Sequence, residues 1–295
     1  MAAVTLASCS SNYKKTKSGL LYKIFSDGKG PVAKRGQVIK INFKQTLRDS
    51  VLQETYSAVP GYALVDSVGP VYNAAELFTQ LRKGDSLIVV LLGDSIIKKF
   101  GPQQGIKKED KVKLHFKVVD IFASTEAATA DRTNEFNKQK DRQIKAFTDY
   151  MAKHQGAGVQ KTPGGTYVEV TSQGSGPQVE PGKMIAVKYT GKLIPSEKQF
   201  ESNMNGENPP YEFVVGSGNV IRGWEEGLVL FKEGGKGKLY IPYELAYGEQ
   251  QGPGGLPYQP LMFDVEVVSV KDAPKGMPQG QPYIPERLPT DTSRH

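Results

Sequence analysis

Apolar and polar residues alternate in short runs through the second half of the chain. The alternation predicts strands at 166–172, 184–193, 211–215, 236–241 and 261–270, each with one face turned to a core. One stretch breaks the two-residue period. In "VIRGWEEGL", residues 220–228, Ile221, Trp224 and Leu228 recur at i, i+3 and i+7. That spacing predicts a short helix over about 221–230 with one face on the sheet. It is the only helical candidate in this part of the chain, and it carries the only tryptophan. An antiparallel sheet curled around one short helix is an α+β arrangement.

The same pattern occurs twice. "SGLLYKIFSDGKGPVAKRGQVIKINFKQTL" from Ser18 aligns without a gap on "GGTYVEVTSQGSGPQVEPGKMIAVKYTGKL" from Gly164, at an offset of 146. Gly28, Gly30, Pro31, Gly36 and Leu47 fall on Gly174, Gly176, Pro177, Gly182 and Leu193. Glycine and proline fix turn geometry, so the shared positions imply shared turns. Further on, "LRKGDSLIVVL" at 81–91 matches "FKEGGKGKLYI" at 231–241 at an offset of 150, and each copy closes on a long alternating strand. One fold is used twice.

Between the copies, residues 124–160 are polar and helix-favouring to about 155, with Gly156 and Gly158 as stops. Ile144, Phe147 and Met151 mark a narrow apolar face, and Asp141 and Lys145 are spaced to pair at i, i+4. This reads as an exposed helical spacer, docked lightly in its C-terminal half. The tail 273–295 is rich in proline and polar residues and is expected to be disordered. The expected organisation is a leader and tether at 1–17, a first domain at 18–123, the spacer at 124–160, a second domain at 161–272 and the tail.

Composition removes several chemistries. The formal net charge is +7, but basic residues are scattered among acids, so the charge reads as a solvated surface and not a nucleic-acid footprint. One cysteine allows no internal disulfide, and the three histidines, His115, His154 and His295, are too dispersed for familiar zinc spacings. No nucleophile elbow and no phosphate-cradling loop occurs. No metal and no cofactor is expected.

The chain opens "MAAVTLASCSS", and Leu6-Ala7-Ser8-Cys9 resembles a bacterial lipobox, in which the cysteine becomes the lipidated N-terminus. Only eight residues precede Cys9 and no basic segment is present, so the leader reads as truncated. The expectation is a protein lipid-anchored in the bacterial cell envelope, at the outer membrane and facing the periplasm.

The second copy resembles the FKBP-type peptidyl-prolyl cis-trans isomerases over about 164–271. The resemblance rests on motifs in order: "YTG" at 189–191, "QFES" at 199–202, "VIRGWEEGL", "IPYELAYG" at 241–248, "QQGPGGLPY" and "MFDVEVV" at 262–268. It implies two FKBP-like domains joined by the helical spacer. It also implies a pocket of Tyr189, Phe200, Glu201, Tyr211, Phe213, Val220, Ile221, Trp224, Tyr247, Leu256 and Phe263. In the family, the indole at the Trp224 position is the floor under a proline ring. Tyr189, Phe200, Glu201, Trp224, Tyr247 and Phe263 are the expected catalytic set, with Tyr211, Phe213, Val220, Ile221 and Leu256 binding substrate. The Tyr247 hydroxyl and the Ile221 N–H donate to ligand carbonyls. Proline-containing polypeptides and macrolide inhibitors are the implied ligands.

Three departures bear on rate, preceding-residue preference and inhibitor affinity. Glu201 stands where Asp is usual, "SNMNGENPP" lacks a common basic residue, and Gly255 stands where a bulky aliphatic is often found. The first copy lacks most of the signature. Phe43 replaces Tyr189, Gln45 replaces Gly191, Ala74 replaces Trp224, and Pro70 and Val71 replace Val220 and Ile221. Phe100-Gly101 is the expected match for Tyr247-Gly248, which removes the hydroxyl. The first copy is therefore expected not to isomerise proline; binding unfolded clients, dimerising, and spacing the active domain from the membrane are its alternative roles. For the whole protein two functions stand: a prolyl isomerase assisting the folding of exported proteins, or a non-catalytic module that holds unfolded polypeptide.

Overall fold

The computed structural model describes residues 13–274, except 67, 70, 155, 157 and 207. The expected lipidation at Cys9, Pro70, and the tail beyond 274 lie outside the described residues. The chain divides into two compact units, Met1–Lys138 and Gln139–His295.

In the first unit the strands are β1 (Lys14–Lys15), β2 (Leu21–Phe25), β3 (Val38–Leu47), β4 (Ser50–Glu54), β5 (Gly61–Leu64), β6 (Ser86–Leu92) and β7 (Lys111–Phe122). They form one sheet in the order β1-β2-β6-β7-β3-β4, with β5 also paired to β3, and every pairing is antiparallel. A 3-10 helix, Ala74–Gln80, supplies Leu77 and Phe78 to the core, and helix α1 (Gly93–Phe100) follows β6. Lys14 and Lys15, expected within a tether, instead pair with Tyr22 and Leu21.

Helix α2 (Thr125–His154) follows. Within the first unit, its residues Asp131 and Glu135 hold the ammonium of buried Lys40 at 2.7 and 3.1 Å, and Asp131 also accepts from the Tyr62 hydroxyl. The first half is thus docked, against the expectation of an exposed spacer. Within the second unit, Tyr150 and Met151 are buried, Phe147 meets Tyr167 edge-on at 5.9 Å, and the Tyr150 hydroxyl donates to Glu197 at 2.8 Å. Ile144, expected on the apolar face, is exposed. Lys145 pairs with Asp149 at 2.7 Å and not with Asp141.

The second unit repeats the first. Its strands are β8 (Val159–Lys161), β9 (Tyr167–Ser172), β10 (Lys183–Leu193), β11 (Gln199–Ser202), β12 (Tyr211–Val214), β13 (Lys236–Ile241) and β14 (Leu261–Asp272). Their order is β11-β10-β14-β13-β9-β8, with β12 also on β10. Read from the other edge, this is the order of the first sheet, strand for strand. Each unit is thus an antiparallel sheet around a short helix, the arrangement the resemblance implies. The expected helix is α3 (Arg222–Leu228), and a 3-10 turn at Tyr243–Leu245 is added to it.

The glycines flanking the tryptophan set the distance between α3 and the sheet. A Cβ at Gly223 would meet Ile241 at 2.3 Å, and one at Gly227 would meet Leu239 at 2.7 Å. Spaced at i, i+4, they make one smooth face that lies directly on β13. That contact seats Trp224 in the core with Phe213, Leu228, Leu239, Ile241 and Phe263.

Candidate functional site

Four rings surround the Trp224 indole. Tyr189 on β10 lies 5.0 Å away and Phe263 on β14 5.2 Å away, both nearly edge-on. Phe213 and Tyr211 on β12 lie at 6.0 and 6.5 Å. Phe200 on β11 stands edge-on to Phe263 at 5.8 Å. Residues from four strands and one helix therefore converge on one aromatic cup. Edge-to-face packing holds the rings rigidly, with little rotamer freedom left to lose when a ligand binds. Trp224 is only 4% exposed, while Tyr211 at the rim is 38% exposed. The indole Nε1 is buried with no hydrogen-bond acceptor among the described residues.

The strand geometry explains the glycine in "YTG". A Cβ at Gly191 would meet Phe200 at 2.5 Å and Phe263 at 2.9 Å, so both rings occupy the space a side chain would take. Asn203, which sequence reasoning passed over, fixes the wall. Its buried side chain accepts from the Tyr189 N–H at 2.6 Å and donates to the carbonyls of Val187 and Pro209 at 3.1 and 3.3 Å. A single Asn in a polar loop has no periodicity to reveal it. Glu225 has a similar supporting role, accepting from the Gly218 N–H at 2.9 Å just before the helix.

Val220 and Ile221 lead into α3 and pack against the same core half-buried. Ile221 is extended at the helix start; its carbonyl accepts from the Trp224 N–H at 2.9 Å. Its own N–H has no acceptor among the described residues and is available to a carbonyl ligand. Tyr247 follows the 3-10 turn and is 42% exposed. Its ring lies beside Gly252, whose N–H donates to the Leu256 carbonyl at 3.0 Å, so the loop from Tyr247 to Leu256 closes on itself. Leu256 is half-buried in that loop and is not part of the aromatic cluster. Gly255 sits at φ +75°, where a bulky aliphatic would be strained.

Burial raises the Tyr189 phenol above its ordinary range, and the nearby Glu201 carboxylate raises it further; the same two causes raise Tyr247. Both hydroxyls therefore stay protonated donors at neutral pH. A phenol raised in the folded state stabilises the fold below its ordinary value, and that contribution is lost as pH rises through the raised value. Ligand binding at this site is expected to be flat between about pH 6 and 9. A bell-shaped profile across that range would show that a titrating group takes part.

In the first unit the counterparts differ as the sequence indicates, with Phe43 and Ala74 at the wall and floor. Phe100 closes α1 and is 59% exposed, so a two-turn helix stands where the second unit has a short turn and Tyr247.

Residues 176–268 match the family model described as FKBP-type peptidyl-prolyl cis-trans isomerase. The chain is 43% identical over 108 residues to FK506-binding protein 3 of Yarrowia lipolytica, covering 37% of this chain and 26% of that protein. It is 34% identical over 166 residues to a probable FKBP-type peptidyl-prolyl cis-trans isomerase of Haemophilus influenzae, covering 56% and 66%. It is 28% identical over 261 residues to the FKBP-type isomerase FkpA of Escherichia coli, covering 80% and 94%. The chain spans less than a third of the length of its fungal and amoebal FK506-binding relatives.

Proposed function

Since this chain belongs to the FKBP-type peptidyl-prolyl cis-trans isomerase family, we propose that its second unit rotates X–Pro bonds non-covalently in the aromatic cup. The observation that carries the reading is the buried indole of Trp224 ringed by Tyr189, Phe263, Phe213 and Tyr211 at 5.0 to 6.5 Å.

The chemistry asked of such a cup is modest. An X–Pro amide rotates over a barrier of about 18–20 kcal/mol set by C–N resonance. Cis and trans differ by only about 0.5–1 kcal/mol, so both are substrates. No bond is made or broken, and a catalyst need only bind the twisted amide better than either planar form. The planar amide is the more charge-separated. An apolar, water-excluding wall disfavours that resonance more than it disfavours the twisted state. The proline ring would rest on Trp224. The Ile221 N–H and the Tyr247 hydroxyl would each hold a carbonyl while the chain turns. Phe200, Glu201, Val220 and Leu256 would shape the rim and set the preference for the residue before proline. Macrolides would enter the same cup, with Gly255 and Glu201 altering the fit.

Tyr247→Phe removes one neutral donor and leaves the ring. The expected loss in kcat/KM is about tenfold, the worth of about 1.4 kcal/mol. An unchanged rate in a protease-coupled peptide assay would remove Tyr247 from the mechanism.

The substrates in this reading are proline-containing polypeptides, and exported proteins folding in the envelope are its clients. The lipobox-like stretch at Cys9 supports anchoring there, and mass spectrometry of the mature N-terminus tests it. A second reading, in which both units only hold unfolded polypeptide, is favoured by the truncated pocket of the first unit. It predicts suppression of aggregation with no acceleration of X–Pro exchange.

A further inference from the structure

The two sheets share their registers, so pocket positions can be matched residue by residue. Leu114 opposes Gln45 as Phe263 opposes Gly191. Ala63 opposes Ile39 as Phe213 opposes Ile185, and Gly61 opposes Ile41 as Tyr211 opposes Val187. With Ala74 in place of Trp224, four aromatic rings of the second unit are shortened to Leu, Ala, Gly and Ala in the first. Phe78 and Phe116 lean into the space from the 3-10 helix and β7, but a hollow of about 390 Å³ remains. That lies within the range of sites that take ligands, about 300–1,000 Å³. The hollow is lined by Ala74, Ala63, Gly61 and Leu114, the positions that carry the four rings in the second unit.

The surface beside the hollow is unusual in the same unit. β4 ends the sheet, is exposed along its whole length, and has no partner on its outer edge among the described residues. Leu52 on β4 and Val71 before the 3-10 helix are 54% and 48% exposed. An unpaired edge strand is a template for another strand. Gln53 of β4 and Gln45 of β3 oppose each other and both face the hollow, and neither side chain has a hydrogen bond among the described residues. A strand added to β4 would place the residue opposite Gln53 on the same face of the sheet, pointing into the hollow.

We propose that the first unit binds an extended, unfolded polypeptide along β4, with one bulky aromatic side chain of that polypeptide filling the hollow. Backbone hydrogen bonds to the edge give sequence tolerance, and the hollow selects the aromatic. The glutamine amides serve the ligand's carbonyl and N–H groups at the mouth. The site needs no proline and is independent of whether the second unit catalyses.

The test uses the intact chain with methyl-labelled Ile and Leu and a proline-free peptide, acetyl-KTVWVTK-amide, beside the same peptide with Ala in place of Trp. The methyl signals of Ile41, Leu91 and Leu114 are expected to shift with the Trp peptide. Affinity is expected to fall at least about tenfold for the Ala peptide and for the filled variant Ala74→Trp. Ala63→Phe fills the hollow from the opposite wall and is expected to behave alike, which covers a misfolded Ala74→Trp. Isomerase rates of the same samples are expected to be unchanged. Absent shifts, equal shifts with the Ala peptide, or shifts that persist in both filled variants would overturn the proposal. So would dimerisation through β4 in sedimentation, which makes a second copy the occupant. The same holds if deleting 275–295 moves the three methyl signals, which makes the chain's own tail the occupant.

Discussion

Trp224→Ala is expected to lower kcat/KM for X–Pro isomerisation at least about 100-fold, a loss of about 2.7 kcal/mol of transition-state stabilisation. The indole is the one surface that Tyr189, Phe263, Phe213 and Tyr211 all touch. Removing it takes away the platform and also loosens the walls. The substitution opens a cavity in the core of the second unit, and Trp-to-Ala changes in cores cost about 3–5 kcal/mol. Part of any lost activity could therefore be lost fold. Trp224→Leu separates the two. It retains an apolar side chain in the core but no flat ring, so stability is expected to recover by more than activity does. Activity is read at a temperature where circular dichroism shows each variant folded. A Trp224→Leu protein with wild-type kcat/KM would mean that the indole is packing alone.

Lys40→Ala is expected to destabilise the first unit by about 3–5 kcal/mol without altering isomerisation. The Lys40 side chain is 8% exposed and bridges Asp131 and Glu135, which are 27% and 14% exposed. Taking out the ammonium leaves two largely buried carboxylates without their countercharge. Urea unfolding reads the loss, and a triple replacement by Met, Asn and Gln is expected to recover most of it, because the unpaired charges go too. Burial alone would raise the two carboxyls. The hydrogen bonds from Lys40, with those from Tyr62 to Asp131 and Lys138 to Glu135, overcome it and hold both below their ordinary values. The sign follows from that direction. Their stabilisation is complete above the ordinary carboxylate range near about pH 4 and is lost as pH falls through the depressed values. An acid-unfolding midpoint unmoved by Lys40→Ala would contradict this account.

Much of this structure could be read from the chain because the fold repeats its punctuation. Gly28, Gly30, Pro31 and Gly36 recur at the offset of 146, and long alternating runs gave β10, β13 and β14 nearly to the residue. Short edge strands were not visible. β8 has three residues and β11 four, too few for alternation to stand out. The docking of α2 in the first unit escaped for another reason. It is made by Asp131 and Glu135 on a buried lysine, and a search for apolar faces passes over acids.

The candidate site divides the same way. The aromatic set was legible through motif resemblance, and the structure brings Tyr189, Phe200, Tyr211, Phe213, Trp224 and Phe263 together. Asn203 was not legible, since its value lies in three hydrogen bonds made across a turn. Nor was the hollow of the first unit. Ala74 could be matched to Trp224 by eye, but Gly61, Ala63 and Leu114 find their counterparts only through strand register, where the offset has drifted from 146.

The most direct test of the central claim is the cis-to-trans exchange rate of a short X–Pro peptide, followed by two-dimensional exchange NMR with the intact chain at catalytic concentration. The account predicts acceleration that is retained in Ala74→Trp and lost in Trp224→Ala. No acceleration by the intact, folded chain would contradict it and leave the aromatic cup as a site that holds polypeptide without turning it.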